Sequence, residues 1–310
     1  MDLYTVHQIF KTEKDCHEYL IKIRWPEGVR CTYCESEFIY RRSYSNGFKC
    51  RNCNCSFSVT VGTIFHSSKL PLSKWIFAIT QILAAKKGIS SLQLSRTINV
   101  NKNTAWYMQS RIRKAMKSDV LLSGIVEVDE TYIGGALGNM SRKEKQKRNP
   151  YKSGMIHKAP VLAMVERTSG KISLNVINHA DGRTIKPILQ KKITQESELV
   201  TDGFGAYSQL DKHFHKHVKM NHEMGKRKEG IYNLSRVEGF FSTIKRAVIG
   251  QYHKISIQHL QSYMDEIAFK KNIPPQIAFN LLLSQACAVS SSIALRWRGM
   301  FSYCIFHKFK

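Results

Sequence analysis

Residues 123–135 read SGIVEVDETYIGG, a short run of β-branched residues that meets acidic side chains and ends at paired glycines. β-Branched residues in such a run favour a strand that is buried on both faces, and two successive glycines end regular structure. A carboxylate at the end of a buried strand costs free energy unless a cation or hydrogen bonds meet it. Asp129 is therefore the first candidate for a functional residue, with turn formation or capping as the alternative role.

Two further carboxylates flank Asp129 in the same stretch. Because side chains alternate along a strand, Glu127 is expected on the same face as Asp129 and Glu130 on the opposite face. Glu127 is therefore the rival candidate for the functional carboxylate.

A second strand-like run, residues 198–202 (ELVTD), also ends on a carboxylate, Asp202. A third carboxylate, Glu238, lies within residues 233–246, where an apolar stripe predicts an amphipathic helix. Glu238 falls at the edge of the stripe, so we expect it to face the protein rather than solvent. Lys245 lies two turns further along the same helix face, and an ordinary surface lysine is its alternative interpretation.

The chain has 310 residues and a formal net charge of +25, with basic residues in every region. This charge favours a polyanionic partner, DNA or RNA, over a membrane or an acidic protein. A basic protein with solvated faces is the alternative. No apolar run approaches the roughly 18 residues of a spanning helix, and the first residues do not form a secretion signal. These features predict a cytoplasmic, DNA-associated protein.

The sequence has eight cysteines, most of them within residues 31–55. Two CxxC pairs in this segment have the spacing of a zinc ribbon, in which four thiolates close a tetrahedral Zn²⁺ site and leave no position open for catalysis. The predicted zinc ligands are Cys31, Cys34, Cys50 and Cys53. So small a hydrophobic cluster depends on the metal to fold. A redox dithiol or unliganded cysteines are the alternatives, and Cys55 is interpreted as a bystander.

Residues 88–116 predict two short helices joined by a tight turn, the pattern of a helix-turn-helix. Ser90 is expected to cap the first helix, and Asn103 or Thr104 the second. The start of the second helix would enter a major groove, while later cations hold phosphates. The residues predicted to contact DNA are Lys102, Asn103, Thr104, Arg111 and Arg113. An ordinary helical hairpin is the alternative.

In this order, the blocks CTYC, CRNC, VEVDETYIGG, TDGFGAY and VEGFFSTIKRAVIGQYHKIS resemble those of bacterial insertion-sequence transposases of the ISXO2-like group. These proteins join an N-terminal zinc ribbon to a DDE catalytic domain, and the resemblance covers about residues 15–272. It implies an α/β fold of the ribonuclease H-like class, a mixed five-stranded sheet with helices on both faces. Residues 216–220 are expected to form the last strand.

The resemblance and the motifs together predict four segments. These are residues 1–66, an N-terminal helix with the zinc ribbon; residues 67–120, a helical, helix-turn-helix-like DNA-binding domain; residues 121–272, the ribonuclease H-like DDE domain; and residues 273–310, a tail without an assigned role.

The resemblance also implies that Asp129, Asp202 and Glu238 form a catalytic triad, with Lys245 as the basic residue that follows it. Three carboxylates suit Mg²⁺ or Mn²⁺, and a pair of such ions serves hydrolysis and transesterification at phosphorus. The implied protein is a DNA transposase that binds terminal inverted repeats, cuts double-stranded DNA and joins the 3′ ends to a target, as a homodimer or larger assembly. A non-catalytic sequence-specific DNA-binding protein and a structure-specific nuclease of the same fold are the alternatives.

Overall fold

The computed structural model describes residues 2–42, 46–134, 158–208, 210–220 and 230–288. Gly135 and the tail after residue 288, on which two of the sequence predictions fall, lie outside the described residues. The chain divides into two compact units. The first unit contains residues 1–86, 91–116 and 274–310, and the second contains residues 87–90 and 117–273.

In chain order, the helices and strands of the described residues are α1 (Leu3–Ile9), α2 (Glu13–Arg24), β1 (Ile39–Arg41), β2 (Gly47–Cys50), β3 (Ser56–Ser58), α3 (Leu72–Ala84), α4 (Ser91–Thr97), α5 (Lys102–Ala115), β4 (Ile125–Ile133), β5 (Ala159–Glu166), β6 (Ile172–Val176), α6 (Gly182–Lys192), β7 (Glu198–Asp202), β8 (Lys216–Met220), α7 (Ser235–Ala247), α8 (Ile257–Asn272) and α9 (Pro275–Cys287). Among these helices, none combines the length and the apolar character that a membrane span requires.

The second unit is built on a five-stranded mixed sheet with the strand order β6-β5-β4-β7-β8. Strand β5 runs antiparallel to both β4 and β6, whereas β7 runs parallel to both β4 and β8. The last strand is Lys216–Met220, as the sequence predicts. This is the α/β arrangement of the ribonuclease H-like fold, and it places β4 at the centre of the sheet.

Helices cover both faces of this sheet. Helices α7 and α8 pack on one face, and α6 packs on the other. In β4, Val126 and Val128 belong to the core beneath α6. Because side chains alternate along a strand, Glu127 and Asp129 point to the opposite face, toward α7 and α8. The strand is thus buried on both faces, as its β-branched residues predict.

The zinc-ribbon segment of the first unit forms a small antiparallel sheet in the order β1-β2-β3. Its core includes Cys31, Phe48, Cys50 and Phe57. The Trp25 ring packs edge-on against both phenylalanine rings, with centroid distances of 5.9 Å and 6.1 Å. This core is small, so a bound metal is expected to supply much of the folding free energy of the segment.

Helix α3 is the most buried helix of the first unit, with Trp75, Ile76 and Ile79 fully enclosed. Its N-cap, Pro71, makes no side-chain capping bond. Instead, the Glu13 carboxylate accepts hydrogen bonds from the N–H groups of the first two residues of α3, at 2.5 Å and 3.1 Å. A carboxylate from α2 therefore holds the start of α3.

Helix α9 lies in the segment to which the sequence gives no role, and it packs within the first unit. Phe279, Leu282 and Leu283 are buried there. The Tyr19 hydroxyl of α2 donates a hydrogen bond to Asn280 Oδ1 at 2.7 Å. After completing the second unit, the chain thus returns to the unit in which it begins.

Candidate active site and nucleic-acid interface

Asp129 lies on the central strand β4 and is partly buried. Its Oδ1 accepts a hydrogen bond from the N–H of Glu130 at 2.8 Å. Burial, followed by the negative charges of Glu130, Asp202 and Glu238, raises the pKa of Asp129 to about 7. Two of these charges, those of Asp202 and Glu238, belong to residues that are remote from Asp129 in the sequence.

Asp202 is the last residue of β7, which runs parallel to β4. Glu127 pairs with Val200 in that ladder. Two residues further along each strand, Asp129 and Asp202 therefore lie at the same level and on the same face. Asp202 Oδ1 accepts a hydrogen bond from the N–H of Phe204 at 3.0 Å, which fixes the carboxylate at the turn where the strand ends.

Glu238 lies in the first turn of α7, and Lys245 lies in the last. Both residues are exposed. The expectation that Glu238 faces the protein is therefore corrected: it lies beyond the apolar stripe that packs on the sheet, rather than within it. Its charge nevertheless contributes to the raised pKa of Asp129, after burial and the charges of Glu130 and Asp202. Lys245 follows on the same helix and is accessible to a ligand.

The three carboxylates present only oxygen atoms, which are the ligands that Mg²⁺ and Mn²⁺ take in proteins. Among the described residues, four cysteines form the only group of possible metal ligands whose ligand atoms all lie within 4.8 Å of one another. The three carboxylates therefore do not converge on one point. Burial is the main cause of the raised pKa of Asp129 and the neighbouring negative charges add to it, so a bound cation would lower this pKa. The donor set fits a divalent cation that keeps part of its water shell.

Glu127 is fully buried on the same face as Asp129, and donors already occupy both of its oxygens. Its Oε1 accepts hydrogen bonds from Arg167 Nε at 3.0 Å and Nη2 at 2.6 Å. Its Oε2 accepts hydrogen bonds from the backbone N–H groups of Arg236 at 2.9 Å and Val237 at 3.1 Å. Of the two rival strand carboxylates, Asp129 is thus the one that remains open to a cation. The sequence gives no signal for Arg167, because no local pattern connects this hairpin residue with β4 or α7.

Glu130 points to the opposite face of β4, as the alternation of the strand predicts. The hydroxyl of Tyr207, a fully buried residue, donates a hydrogen bond to Glu130 Oε2. Burial raises the pKa of Glu130, and the charge of Asp202 adds to this effect. Glu130 therefore places a further negative charge beside the site while its own carboxylate is held by Tyr207.

The cysteines predicted to bind zinc converge in the zinc ribbon. Ligand atoms of Cys31, Cys34, Cys50 and Cys53 all lie within 4.8 Å of one another. The sulfur–sulfur distance is 3.6 Å both for Cys31 and Cys53 and for Cys34 and Cys50. Tetrahedral zinc with bonds of about 2.3 Å places its sulfur ligands about 3.8 Å apart, so these four sulfurs fit a zinc ion. Cys55 is outside this group, as predicted.

Helices α4 and α5 form the predicted pair, but the cap of α5 differs from the expected one. The Asn101 side chain accepts a hydrogen bond from the N–H of Thr104 at 2.9 Å, so Asn101 is the cap and the helix begins at Lys102. Asn103 and Thr104 were the expected caps and instead lie in the first turn. Asn101 takes this place because its backbone is extended, as an N-cap requires.

The predicted DNA contacts of α5 differ in exposure. Lys102 and Asn103 are exposed, and Thr104 is half-buried. Arg111 is half-buried, and its Nη1 donates a hydrogen bond at 2.9 Å to a backbone oxygen in the segment between β3 and α3. Arg113 is only 2% exposed, so its expected contact with a phosphate is corrected: it lies on the face of α5 that packs inward.

Two aromatic side chains that were not among the predicted DNA contacts are exposed on α5. Trp106 is 41% exposed and Tyr107 is 49% exposed. The Arg111 guanidinium lies over the Tyr107 ring, 5.0 Å from its centroid. Helical spacing from Asn103 is the signal that could have identified them, since positions three and four residues further on share its face.

Two segments of the chain match known protein families. Residues 121–272 match the ISXO2-like transposase domain, and residues 11–56 match the transposase zinc-ribbon domain. An uncharacterized protein in transposable element ISH50 of Halobacterium salinarum is 28% identical over 214 residues, which cover 65% of this chain and 71% of that protein.

Similar solved structures include the HTLV-2 integrase catalytic core domain in complex with magnesium. It is 18% identical with a TM-score of 0.27, and the match covers 54% of this chain and 86% of that chain. A second is the simian T-cell lymphotropic virus intasome, which is 9% identical with a TM-score of 0.28, with 54% of this chain and 57% of that chain covered.

Proposed function

Because residues 121–272 belong to the ISXO2-like transposase domain family and residues 11–56 to the transposase zinc-ribbon family, we propose that this chain is the DNA transposase of an insertion sequence. In this proposal it binds the terminal inverted repeats of its element, cuts the DNA and joins the 3′ ends to a target. The observation that carries the proposal is the parallel pairing of β4 and β7, which supports a common site for Asp129 on the central strand and Asp202 at the end of β7.

Asp129, Asp202 and Glu238 are the proposed ligands of Mg²⁺ or Mn²⁺. When bound, a pair of such ions activates a water or a 3′-hydroxyl and stabilises the leaving oxygen at phosphorus. Asp129 and Asp202 are oriented by hydrogen bonds from the N–H groups of nearby residues. Glu238 is carried by a separate helix, so the position of α7 determines its distance from the two aspartates. Lys245, exposed on that helix, is proposed to bind a DNA phosphate.

The proposed DNA-binding surface of the first unit is the exposed face of α5, which begins with Lys102 and Asn103 and continues through Trp106 and Tyr107. Cations at such a surface bind phosphates with release of counterions, and the polar and aromatic groups are available to base edges. The net charge of +25 supports a polyanionic partner. Pairing of two element ends would require at least two copies of the chain on DNA.

The substitution Asp202→Asn tests the catalytic assignment. It removes a charge and a metal ligand but keeps the size of the side chain and its Oδ1 acceptor. We expect strand transfer of a labelled repeat end into a supercoiled plasmid to fall to background with Mg²⁺, while binding of the repeat end is unchanged. The matched control is Asp181→Asn, because Asp181 caps α6 through the N–H of Thr184 at 2.8 Å and asparagine is an equally good cap.

Three outcomes would contradict the proposal. Strand transfer at the normal rate by the Asp202→Asn protein would exclude the carboxylate assignment. Repeat binding without cleavage by the unsubstituted protein at any Mg²⁺ or Mn²⁺ concentration would favour a non-catalytic DNA-binding protein. Cleavage without joining would favour a structure-specific nuclease.

A further inference from the structure

We propose that Glu127 and Arg167 are positioning residues that set the separation between Asp129 on β4 and Glu238 on α7. This inference rests on the proposed catalytic role of those two carboxylates. Both oxygens of Glu127 accept hydrogen bonds from protein donors, and the Arg167 guanidinium donates to protein acceptors, so we assign neither residue to the metal or to DNA.

The N-terminus of α7 depends on Glu127. Its N-cap, Leu234, makes no side-chain capping bond, and a helix leaves its first N–H groups without partners inside the helix. Glu127 Oε2 accepts hydrogen bonds from the backbone N–H groups of Arg236 at 2.9 Å and Val237 at 3.1 Å. A carboxylate in this place also interacts favourably with the helix dipole. Val237 directly precedes Glu238, so Glu127 holds the turn of α7 that carries Glu238.

Arg167 fixes the orientation of the Glu127 carboxylate. Glu127 is 0% exposed, and a buried carboxylate that loses its counter-charge is strongly destabilising. The planar guanidinium meets Oε1 through Nε at 3.0 Å and Nη2 at 2.6 Å, a geometry that a lysine cannot reproduce. The backbone N–H of Arg167 donates to the Ile125 oxygen at 2.8 Å, which anchors the arginine beside the same strand.

Arg167 also binds the segment that leads into α7. Its Nη2 donates to Asn233 Oδ1 at 2.6 Å and to the Asn233 backbone oxygen at 3.2 Å, and its Nη1 donates to the backbone oxygen of Ile231. Asn233 Oδ1 in turn accepts a hydrogen bond from the N–H of Ser235 at 3.2 Å. The approach to the helix and its first turn are thus both bound by this network.

The hydrogen bonds of Glu127 directly connect β4 and α7, the two elements that carry the proposed ligands Asp129 and Glu238. Glu127 and Asp129 lie on the same face of β4, about 6–7 Å apart at the usual strand rise. Glu238 follows immediately after a residue whose N–H binds Glu127. These hydrogen bonds hold the first turn of α7 beside β4, in addition to the apolar packing of the helix on the sheet. A misplacement of about 1 Å at a reacting centre can cost about 100-fold in rate.

The test uses the full-length protein with Glu127→Gln and Arg167→Lys. Each keeps most of the side-chain volume but loses part of the network. We expect both proteins to bind repeat-end DNA normally and to bind Mn²⁺, measured by calorimetric titration without DNA, about 10–100-fold more weakly, the range for residues that orient metal ligands. Strand transfer should recover in part at high Mn²⁺. The matched control is Glu166→Gln, at the end of the neighbouring strand β5. The Glu166 carboxylate accepts a hydrogen bond from the N–H of Ser123 at 3.0 Å, and its loss should leave the Mn²⁺ affinity unchanged.

Normal Mn²⁺ affinity and normal strand transfer by a folded Glu127→Gln or Arg167→Lys protein would overturn the inference, whatever happens to its melting temperature. If Glu127→Gln fails to fold, the Arg167→Lys protein decides. An equal loss of Mn²⁺ affinity in Glu166→Gln would also overturn it, since the effect would then follow general stability. Asp129→Asn separates the two proposals: if that protein keeps its Mn²⁺ affinity and strand transfer, the proposed function fails instead.

Discussion

The acidic side chains of β4 differ in what occupies their oxygens. Glu127 accepts hydrogen bonds from a guanidinium and from a helix N-terminus. Glu130 accepts one from the hydroxyl of Tyr207. Asp129 accepts one from an adjacent N–H and otherwise faces other carboxylates. The carboxylates of these three acidic residues, within four positions, therefore differ in their hydrogen-bond donors, and this difference separates the proposed ligand from its neighbours.

A second distinction at the residue scale concerns Lys102 and Arg113, both predicted from sequence to contact DNA. Lys102→Ala should change the free energy of unfolding by no more than about 0.5 kcal/mol, because the side chain is exposed. It should weaken binding of the repeat end and lower the slope of log affinity against log salt concentration by about 0.9 for a lost phosphate contact. Urea unfolding and fluorescence-anisotropy titrations at several salt concentrations measure the two quantities.

For Arg113→Ala we expect the opposite result, a lower free energy of unfolding without a change in the salt dependence of DNA binding. Arg113 is 2% exposed, and loss of a large buried side chain leaves a cavity that costs about 2–4 kcal/mol. The salt slope of the remaining folded protein should be unchanged. A lower slope with normal stability would mean that Arg113 reaches DNA after all.

At the scale of elements, three helices differ in which side chain accepts hydrogen bonds from their first N–H groups. Helix α5 uses its own Asn101, whereas Glu13 holds the start of α3 and Glu127 holds the start of α7. A remote carboxylate couples a helix to another element, so its loss affects tertiary geometry as well as helix stability. A local cap affects little beyond its own helix.

Asn101→Ala should therefore lower the free energy of unfolding by about 1 kcal/mol, the usual cost of a lost N-cap. The control is Asn103→Ala, two residues further on, which removes no capping bond and should cost no more than about 0.5 kcal/mol. Repeat binding should respond in the opposite order, with the larger loss for Asn103→Ala. Urea unfolding of both proteins decides the cap, and a greater loss of stability for Asn103→Ala would contradict it.

The zinc ribbon gives a prediction with an internal control. Cys34→Ser removes one of the four converging thiolates, whereas Cys55→Ser removes a thiol outside the group. Elemental analysis of the purified protein should find about one zinc per chain in the unsubstituted and Cys55→Ser proteins, and much less in Cys34→Ser. Because the metal stabilises this small core, a strong chelator should also unfold residues 11–56. A folded ribbon without metal would refute the assignment.

The sequence predicted those features that depend on residues close together in the chain. The strand around Asp129 and the spacing of the cysteines both follow from neighbouring residues. The cap of α5 was wrong because Asn101, Asn103 and Thr104 are all good caps, and only the backbone conformation selects among them. The Glu127–Arg167 network was missed because its members lie on three separate elements. Burial of Arg113 likewise depends on which face of α5 packs inward.

At the scale of the whole molecule, the last residues that the structure describes lie in the same unit as the first ones. Residues 274–288 belong with residues 2–86 and 91–116, although the entire second unit lies between them in sequence. The backbone N–H of Ile64 donates to the Ala286 oxygen at 3.1 Å, and the rings of Phe10 and Phe279 lie 6.2 Å apart. An apolar C-terminal stretch without a motif thus acquires a structural role, since it completes the core around α2 and α3.

This return of the chain predicts that a substitution near its end destabilises its beginning. Leu282→Ala should lower the stability of the first unit by about 2–5 kcal/mol, because Leu282 is fully buried. Hydrogen exchange followed by mass spectrometry should show faster exchange in α2 and α3 and no change in β4 or β5. The control is Ile277→Ala on the same helix, which is 54% exposed and should leave both units unchanged. Faster exchange confined to α9 itself would mean that the helix covers the first unit without supporting its fold.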